Sequence, residues 1–371
     1  MALSAQRLVV ALLAVLTVAA LAFNTWVGAQ GRAFVVLATT VETPVLTWVA
    51  RVLTGEPSVR EQVVAGAPTT VVTPGGDGPW PSIVFANGAT RAGRRHADVQ
   101  RLARGLARAG FLVYVPDLPG LPLGEITPRT VERLVGVADA AARSRDSRGD
   151  RVGFAGVSVG TSLALLAAED DRLGGRVRAV AGIAPYGRLR EVTKLATTGV
   201  GATGPYNADP YLGLAVARSL VAGLPPSAER TRLLRALEAV DDDDQAPLRL
   251  LEGWRSPDES VRLVIALVRN REPTRFERLY ARLPRTLRRD VGLLSPLLRA
   301  ERIRAPVELA SARHDSYFPL AESRALVRVL PDGRLTPTTT LGHTIPHPTP
   351  RDLRDLLAFD GWVVRSLREL R

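Results

Sequence analysis

The stretch VGFAGVSVGTSLALLAA, residues 152–168, decides the fold. Its first residues are apolar and β-prone, its last are strong helix formers, and between them stands Gly156-Val157-Ser158-Val159-Gly160. A serine at such a joint sits on a sharp turn, and glycines two before and two after it let strand and helix approach without side-chain collision. The five-residue pattern alone recurs by chance in a chain with 32 glycines. Its placement, directly after a strand pattern and directly before a helix pattern, selects Ser158 as a nucleophile over the plain reading of a small-residue turn.

Outward from this joint, β-rich runs alternate with helical ones, the signature of an α/β domain with a mostly parallel sheet. PSIVFANG (81–88) reads as a strand and RRHADVQRLARGLARAG (94–110) as a helix closed by Gly110. FLVYVPD (111–117) is the next strand, and TPRTVERLVGVADAAARS (127–144) a helix opened by Thr127 and Pro128. VRAVAGIAPYG (177–187) is a further strand. The alternation then stops: residues 188–303 read as helices and loops without a convincing strand, and strands resume with APVELASA (305–312) and RLTPTTTL (334–341). The division that follows is a core in two parts, 58–187 and 304–371, with a helical cap inserted over 188–303. Such an insert is expected over the carboxyl ends of the strands, where open α/β sheets bind ligands.

Serine alone is a poor nucleophile, so a base and an orienting acid must follow. ASARHDSYFP places Asp315 in the loop after the strand that resumes the sheet, and TTTLGHTIPHP places His343 just beyond the last strand. Ser158, Asp315 and His343 thus follow the chain order of this architecture, with His343 taking the serine proton and Asp315 fixing the imidazole tautomer. The simpler readings are a turn aspartate at 315, with His314 beside it, and His347 in place of His343. His96, at a helix start, reads as a surface or supporting residue. The oxyanion donors expected are the backbone N–H groups of Val159, after the nucleophile, and Ala89, in the loop after the early strand, where Gly88 shapes the turn.

These segments, NGA, VPDLPG, GVSVG, ARHDSYFP and GHTIP, resemble the α/β-hydrolase family, specifically its capped esterase and lipase-like members, over roughly residues 60–371. The resemblance implies hydrolysis of a carboxylic ester or related bond through an acyl-enzyme, without a cofactor. The sequence departs from the family in Asn87, where histidine is common before the glycine, and in PDLPGLPLGE (116–125), which lacks the usual glycine-serine ending. Both departures bear on the substrate and leave the three polar residues untouched. An acyltransferase with the same residues, or a binding protein that keeps the fold, are the alternatives.

The amino terminus carries a different signal. From Leu8 to Gly31 there is no charged side chain, long enough to cross a bilayer, so residues 1–31 read as a transmembrane anchor, with a cleaved secretory signal as the alternative. Residues 32–57 read as an amphipathic linker helix: Phe34, Leu37, Val41, Val45, Trp48 and Val52 share one face, and Glu42 argues against a second span. The expectation is a single-pass membrane protein with its catalytic domain on the extracytoplasmic side, or a secreted one if the signal is removed.

The formal net charge of +12 is carried almost wholly by arginine, since Lys194 is the only lysine, and the arginines alternate with Asp and Glu rather than gathering on one element. That pattern argues against nucleic acid as a partner and leaves a mild attraction to anionic headgroups. There is no cysteine, which removes disulfides, thiolate zinc sites and thiol catalysis. No metal site is expected from the four histidines: His343 and His347 are four apart, but Pro346 breaks the helix they would need. The acidic run Asp241–Asp244 matches no calcium loop and reads as a solvated turn.

Overall fold

A computed structural model describes residues 25–41, 44–202, 204–240, 246–344 and 353–371. Two helices lead in, α1 (Thr25–Val41) and α2 (Pro44–Thr54). The sheet strands are β1 (Ser58–Val64), β2 (Ala67–Thr73), β3 (Trp80–Ala86), β4 (Leu112–Pro116), β5 (Ser147–Val157) and β6 (Val177–Ile183). Helices α3 (Ala97–Arg108), α4 (Pro128–Ala142) and α5 (Val159–Ala168) connect them. The chain then leaves the sheet for α6 (Leu189–Thr198), a small pair β7 (Val200–Gly201) and β8 (Gly204–Pro205), and helices α7 (Pro210–Ala222), α8 (Ala228–Glu238), α9 (Ala246–Gly253), α10 (Glu259–Val268), α11 (Pro273–Arg282) and α12 (Arg285–Leu293). It returns through β9 (Val307–Ala312), α13 (Leu320–Val329), β10 (Gly333–Thr338) and α14 (Leu353–Glu369).

The eight-stranded sheet runs in the order β1-β2-β4-β3-β5-β6-β9-β10. Its β1–β2 and β2–β4 pairs are antiparallel, and every pair from β4 to β10 is parallel. Central strands buried on both faces need unbroken apolar runs, and Ile83, Val84 and Phe85 of β3 supply one, each at 1% exposure or less. From β3 the chain crosses to β4 on one side, then to β5 on the other. Their carboxyl ends therefore frame the switch point where such sheets bind ligands.

The amino-terminal expectation needs revision where it can be followed. Residues 1–24, most of the anchor read over 1–31, lie outside the described residues; so do His347 and Asp241–Asp244. Among the described residues no helix is long and apolar enough to cross a membrane. Residues 25–31 belong to α1, which packs on the domain: Ala29, Ala33 and Val36 join Val99, Ala103 and Leu106 of α3 and Phe359 and Trp362 of α14 in one core cluster. Ala29 and Ala33 are the most deeply buried of this stripe, with Leu37 of the apolar face partly buried beside them, as expected where helix axes approach closely. Gly105 shows the constraint: a Cβ there would stand 3.2 Å from the carbonyl oxygen of Val36. Trp48 and Val52, on the apolar face of the linker, are each 64% exposed.

Helix α5 ends at Glu169, whose side chain is 4% exposed and lies 2.9 Å from an Arg299 nitrogen. Burial pushes this carboxyl up to about 7 from an ordinary 4.5, with Arg299 opposing the shift. Between those values the unfolded chain has released a proton that the native state keeps, so stability falls as pH rises from about 4.5 to 7. Glu169→Gln is expected to flatten that slope and raise stability at pH 8 by up to about 3 kcal/mol, with little change at pH 4. Denaturant unfolding at the two pH values checks it; an unchanged slope would refute the assignment.

Candidate active site

Ser158 follows β5 and caps α5 with φ +54° and ψ −132°, a region that residues with a side chain rarely enter. Such a backbone costs on the order of 1–3 kcal/mol and persists only where its surroundings enforce it. Here they do. The Ser158 N–H donates to the Ile183 carbonyl at 2.8 Å, and Thr161 Oγ1 donates to the same carbonyl at 2.9 Å, pinning the turn to the end of β6. A Cβ on Gly156 would stand 2.6 Å from the Cα of Thr161, and one on Gly160 would stand 2.1 Å from the carbonyl oxygen of Ala86. Both glycines are therefore steric requirements of the joint.

The three residues picked out by chain order come together. Asp315, in the loop between β9 and α13, accepts from His343 Nδ1 at 2.7 Å, and His343 Nε2 lies 2.8 Å from Ser158 Oγ. A carboxylate only accepts, so Nδ1 carries the proton and Nε2 is left to accept from the serine hydroxyl. The Asp315 side chain is fully buried, and its other oxygen accepts from the N–H groups of Tyr317 (2.7 Å) and Phe318 (3.0 Å). His343 is half-buried; the Tyr317 ring lies against it with centroids 4.5 Å apart, and Phe318 meets it edge-on. His314 is exposed, away from this arrangement. His96 caps α3, its Nδ1 accepting from the Asp98 N–H at 3.2 Å.

A cavity of about 390 Å³ opens onto Ser158 and His343, with Gly88, Ala89 and Val159 in its wall. Val159 opens α5, where backbone N–H groups have no partner within the helix. A Cβ on Gly88 would stand 3.4 Å from that of Ser158, so any side chain there would crowd the nucleophile. The sequence reading noted Asn87 only as a departure. It is buried, and its Nδ2 donates to the Gly88 carbonyl at 2.8 Å. In a trans peptide the carbonyl and the following N–H point opposite ways, so this bond sets the direction of the Ala89 N–H.

The rest of the cavity is apolar. Ile126, Leu189, Val192, Leu212, Ala215 and Val216 line it, with Thr90, His96 and Asp98 supplying polar groups. Helix α7 is its roof, presenting Tyr211, Leu212, Ala215, Val216 and Ser219 at helical spacing. Ser219 Oγ donates to the Gly124 carbonyl (3.2 Å) and accepts from the Ile126 N–H (3.1 Å), and the buried Arg218 donates to the Leu123 carbonyl (3.0 Å). These ties between α7 and the loop after β4 have no local signature from which a sequence reading could find them.

Sheet order and nucleophile joint together define the class: the chain has the α/β-hydrolase fold, with a serine at the elbow after β5. Among solved structures it is similar to the rice cell wall degrading esterase LipA from Xanthomonas oryzae, at 17% identity over 85% of this chain and 90% of that one, TM-score 0.52. It is also similar to an esterase from the bacterial hormone-sensitive lipase family (15%, 92% and 97%, TM-score 0.47) and to an acylaminoacyl peptidase (14%, 76% and 37%, TM-score 0.46). The chain spans 37% of that peptidase's length. At these identities the likeness is one of fold. No protein-family model matches the sequence, nor does any curated protein.

Proposed function

We propose that the protein is a serine hydrolase acting on a carboxylic ester with an apolar acyl part. The observation that carries this reading is the pair of hydrogen bonds from Ser158 Oγ to His343 and from His343 to Asp315, opening into an apolar cavity. His343 Nε2 takes the hydroxyl proton as Oγ attacks the ester carbonyl; the oxyanion is met by the Ala89 and Val159 N–H groups. The tetrahedral species collapses, the alcohol leaving with the proton from Nε2 while Asp315 stabilises the imidazolium. Water, deprotonated by the same nitrogen, then releases the acid and restores the serine.

The test is labelling by a fluorophosphonate probe, which reports a nucleophilic serine, followed by hydrolysis of p-nitrophenyl esters of rising acyl length. An apolar cavity under α7 favours acyl chains of several carbons over acetate. Free acid as the product, rather than transfer to an added alcohol, separates hydrolysis from acyl transfer. A wild-type protein inert to the probe would overturn the reading.

Membrane association belongs to the same proposal. It is supported by the uncharged sequence 8–31 and by exposed Trp48, Val52 and Leu53 on α2, with Arg51 beside them, a composition suited to the headgroup boundary. Co-flotation of the full chain with phosphatidylglycerol-containing vesicles is expected, weakened by Trp48→Ser with Val52→Ser. Flotation unchanged in that double variant would remove α2 from the contact.

A further inference from the structure

The cap reaches the acid loop as well as the loop after β4. The Tyr206 hydroxyl donates to the carbonyl oxygen of Asp315 itself. Three residues on, the Asp209 N–H donates to the Ser316 carbonyl at 2.8 Å. The Asp209 carboxylate caps α7 by accepting from the Tyr211 N–H at 2.9 Å, and burial together with this nearby carboxylate raises the Tyr317 hydroxyl, whose ring lies against His343, above its ordinary value. Residues 206–209 and 315–317 are thus joined side by side, one strand of the contact from the cap and the other from the core.

We propose that Tyr206 and Asp209 are positioning residues for the acid–base pair: the cap holds the Asp315 backbone and the Tyr317 ring, and through them the carboxylate and imidazole that face Ser158. The inference rests on the serine hydrolase reading and deepens it. Held by these contacts at its amino end and by Arg218 and Ser219 at its carboxyl end, α7 is a fixed roof. Lifting it to admit substrate would release the carbonyls of Asp315 and Ser316, and with them the backbone that carries the acid.

Two conservative variants test this. Tyr206→Phe deletes one hydroxyl and no charge. Asp209→Asn keeps a residue able to cap α7 but removes the negative charge beside the Tyr317 hydroxyl. Each is expected to lower kcat on a p-nitrophenyl ester about ten- to a hundredfold, as small misplacements of reacting groups do, with KM changed less than about twofold. The acid limb of kcat/KM is expected to move to lower pH, because a loosened carboxylate favours the imidazolium less. Among the described residues, the ionisable groups around that ring are Asp315, Tyr317 and Tyr186 on its own side, Tyr206, Asp209 and Tyr211 from the cap, and His96 and Asp98 across the cavity. Tyr206→Phe leaves every charge among them in place, so a shift in that variant reports geometry alone.

The low-field proton resonance of His343 Nδ1–H supplies a readout that needs no substrate: it is expected to move upfield or broaden in both variants. An unmoved resonance and acid limb, whether activity is retained or falls only with the folded fraction in thermal unfolding, would overturn the proposal. A wild-type protein that fails to label at Ser158 would sink the hydrolase reading instead, and the resonance would still decide whether the cap positions the pair.

Discussion

Ser158→Ala is expected to abolish fluorophosphonate labelling and to lower kcat on any ester the wild type turns over by about 10⁴- to 10⁶-fold. At about 1.4 kcal/mol per tenfold this is roughly 5.5–8 kcal/mol of barrier, far above what a lost hydrogen bond contributes. The size follows from the geometry. Among the described residues Ser158 supplies the hydroxyl bonded to His343 Nε2, so deleting Oγ removes that group and leaves the imidazole facing water. The proposed oxyanion donors at Ala89 and Val159 would remain, and a residual rate above the uncatalysed reaction is expected from them. Stability separates the two roles of the residue. Alanine inherits the strained φ of +54° and gives no relief, whereas Ser158→Gly enters that region freely and is expected to unfold at a higher temperature while remaining inactive. Labelling that persists in Ser158→Ala, or a loss below tenfold, would end the case for this serine.

The nucleophile joint was legible because its requirements are local. Gly156 and Gly160 are needed within a few residues of Ser158, against the backbone of Thr161 and Ala86, and the strand and helix they join carry their own periodicities. Asp315 and His343 were legible for a different reason: in this topology the loops after the strands on one side of the nucleophile converge on it, so position after a strand stands in for position in space. Nothing local points to Tyr206, Asp209 or Asn87. Tyr206 meets Asp315 across 109 residues, and its role appears only when cap and core are folded against each other.

The β1–β2 hairpin was also missed, and its turn explains why. The reversal is made by Ala65 and Gly66, both at positive φ (+48° and +76°), where asparagine or aspartate before glycine would have announced it. Strand β1 is an edge strand exposed along most of its length, including Val59 and Val63, so it lacks the apolar alternation that marks a half-buried strand. The β7–β8 pair within the cap is only two residues a side, too short for any pattern to show.

Asp315→Asn is the sharpest test of how the site works, because it changes the protonation of His343 without emptying the position. Asparagine can turn its oxygen to the Tyr317 and Phe318 N–H groups, which keeps the loop bonded and sets its amide nitrogen against His343 Nδ1. Two donors cannot share a hydrogen bond, so the imidazole takes the other tautomer, and Nε2 now carries the proton it should accept from Ser158. A loss in kcat of about 10⁴-fold is expected from the wrong tautomer, roughly 5.5 kcal/mol, with the unfolding temperature nearly unchanged. Asp315→Ala loses the two loop hydrogen bonds as well and leaves buried N–H groups unpaired, so it is expected to be as inactive but less stable by about 1–3 kcal/mol. The pair of variants thus separates orientation of the imidazole from support of the loop. If Asp315→Asn kept kcat within tenfold of the wild type, the carboxylate would be a structural anchor for Tyr317 and Phe318, and the orienting acid would have to be sought elsewhere.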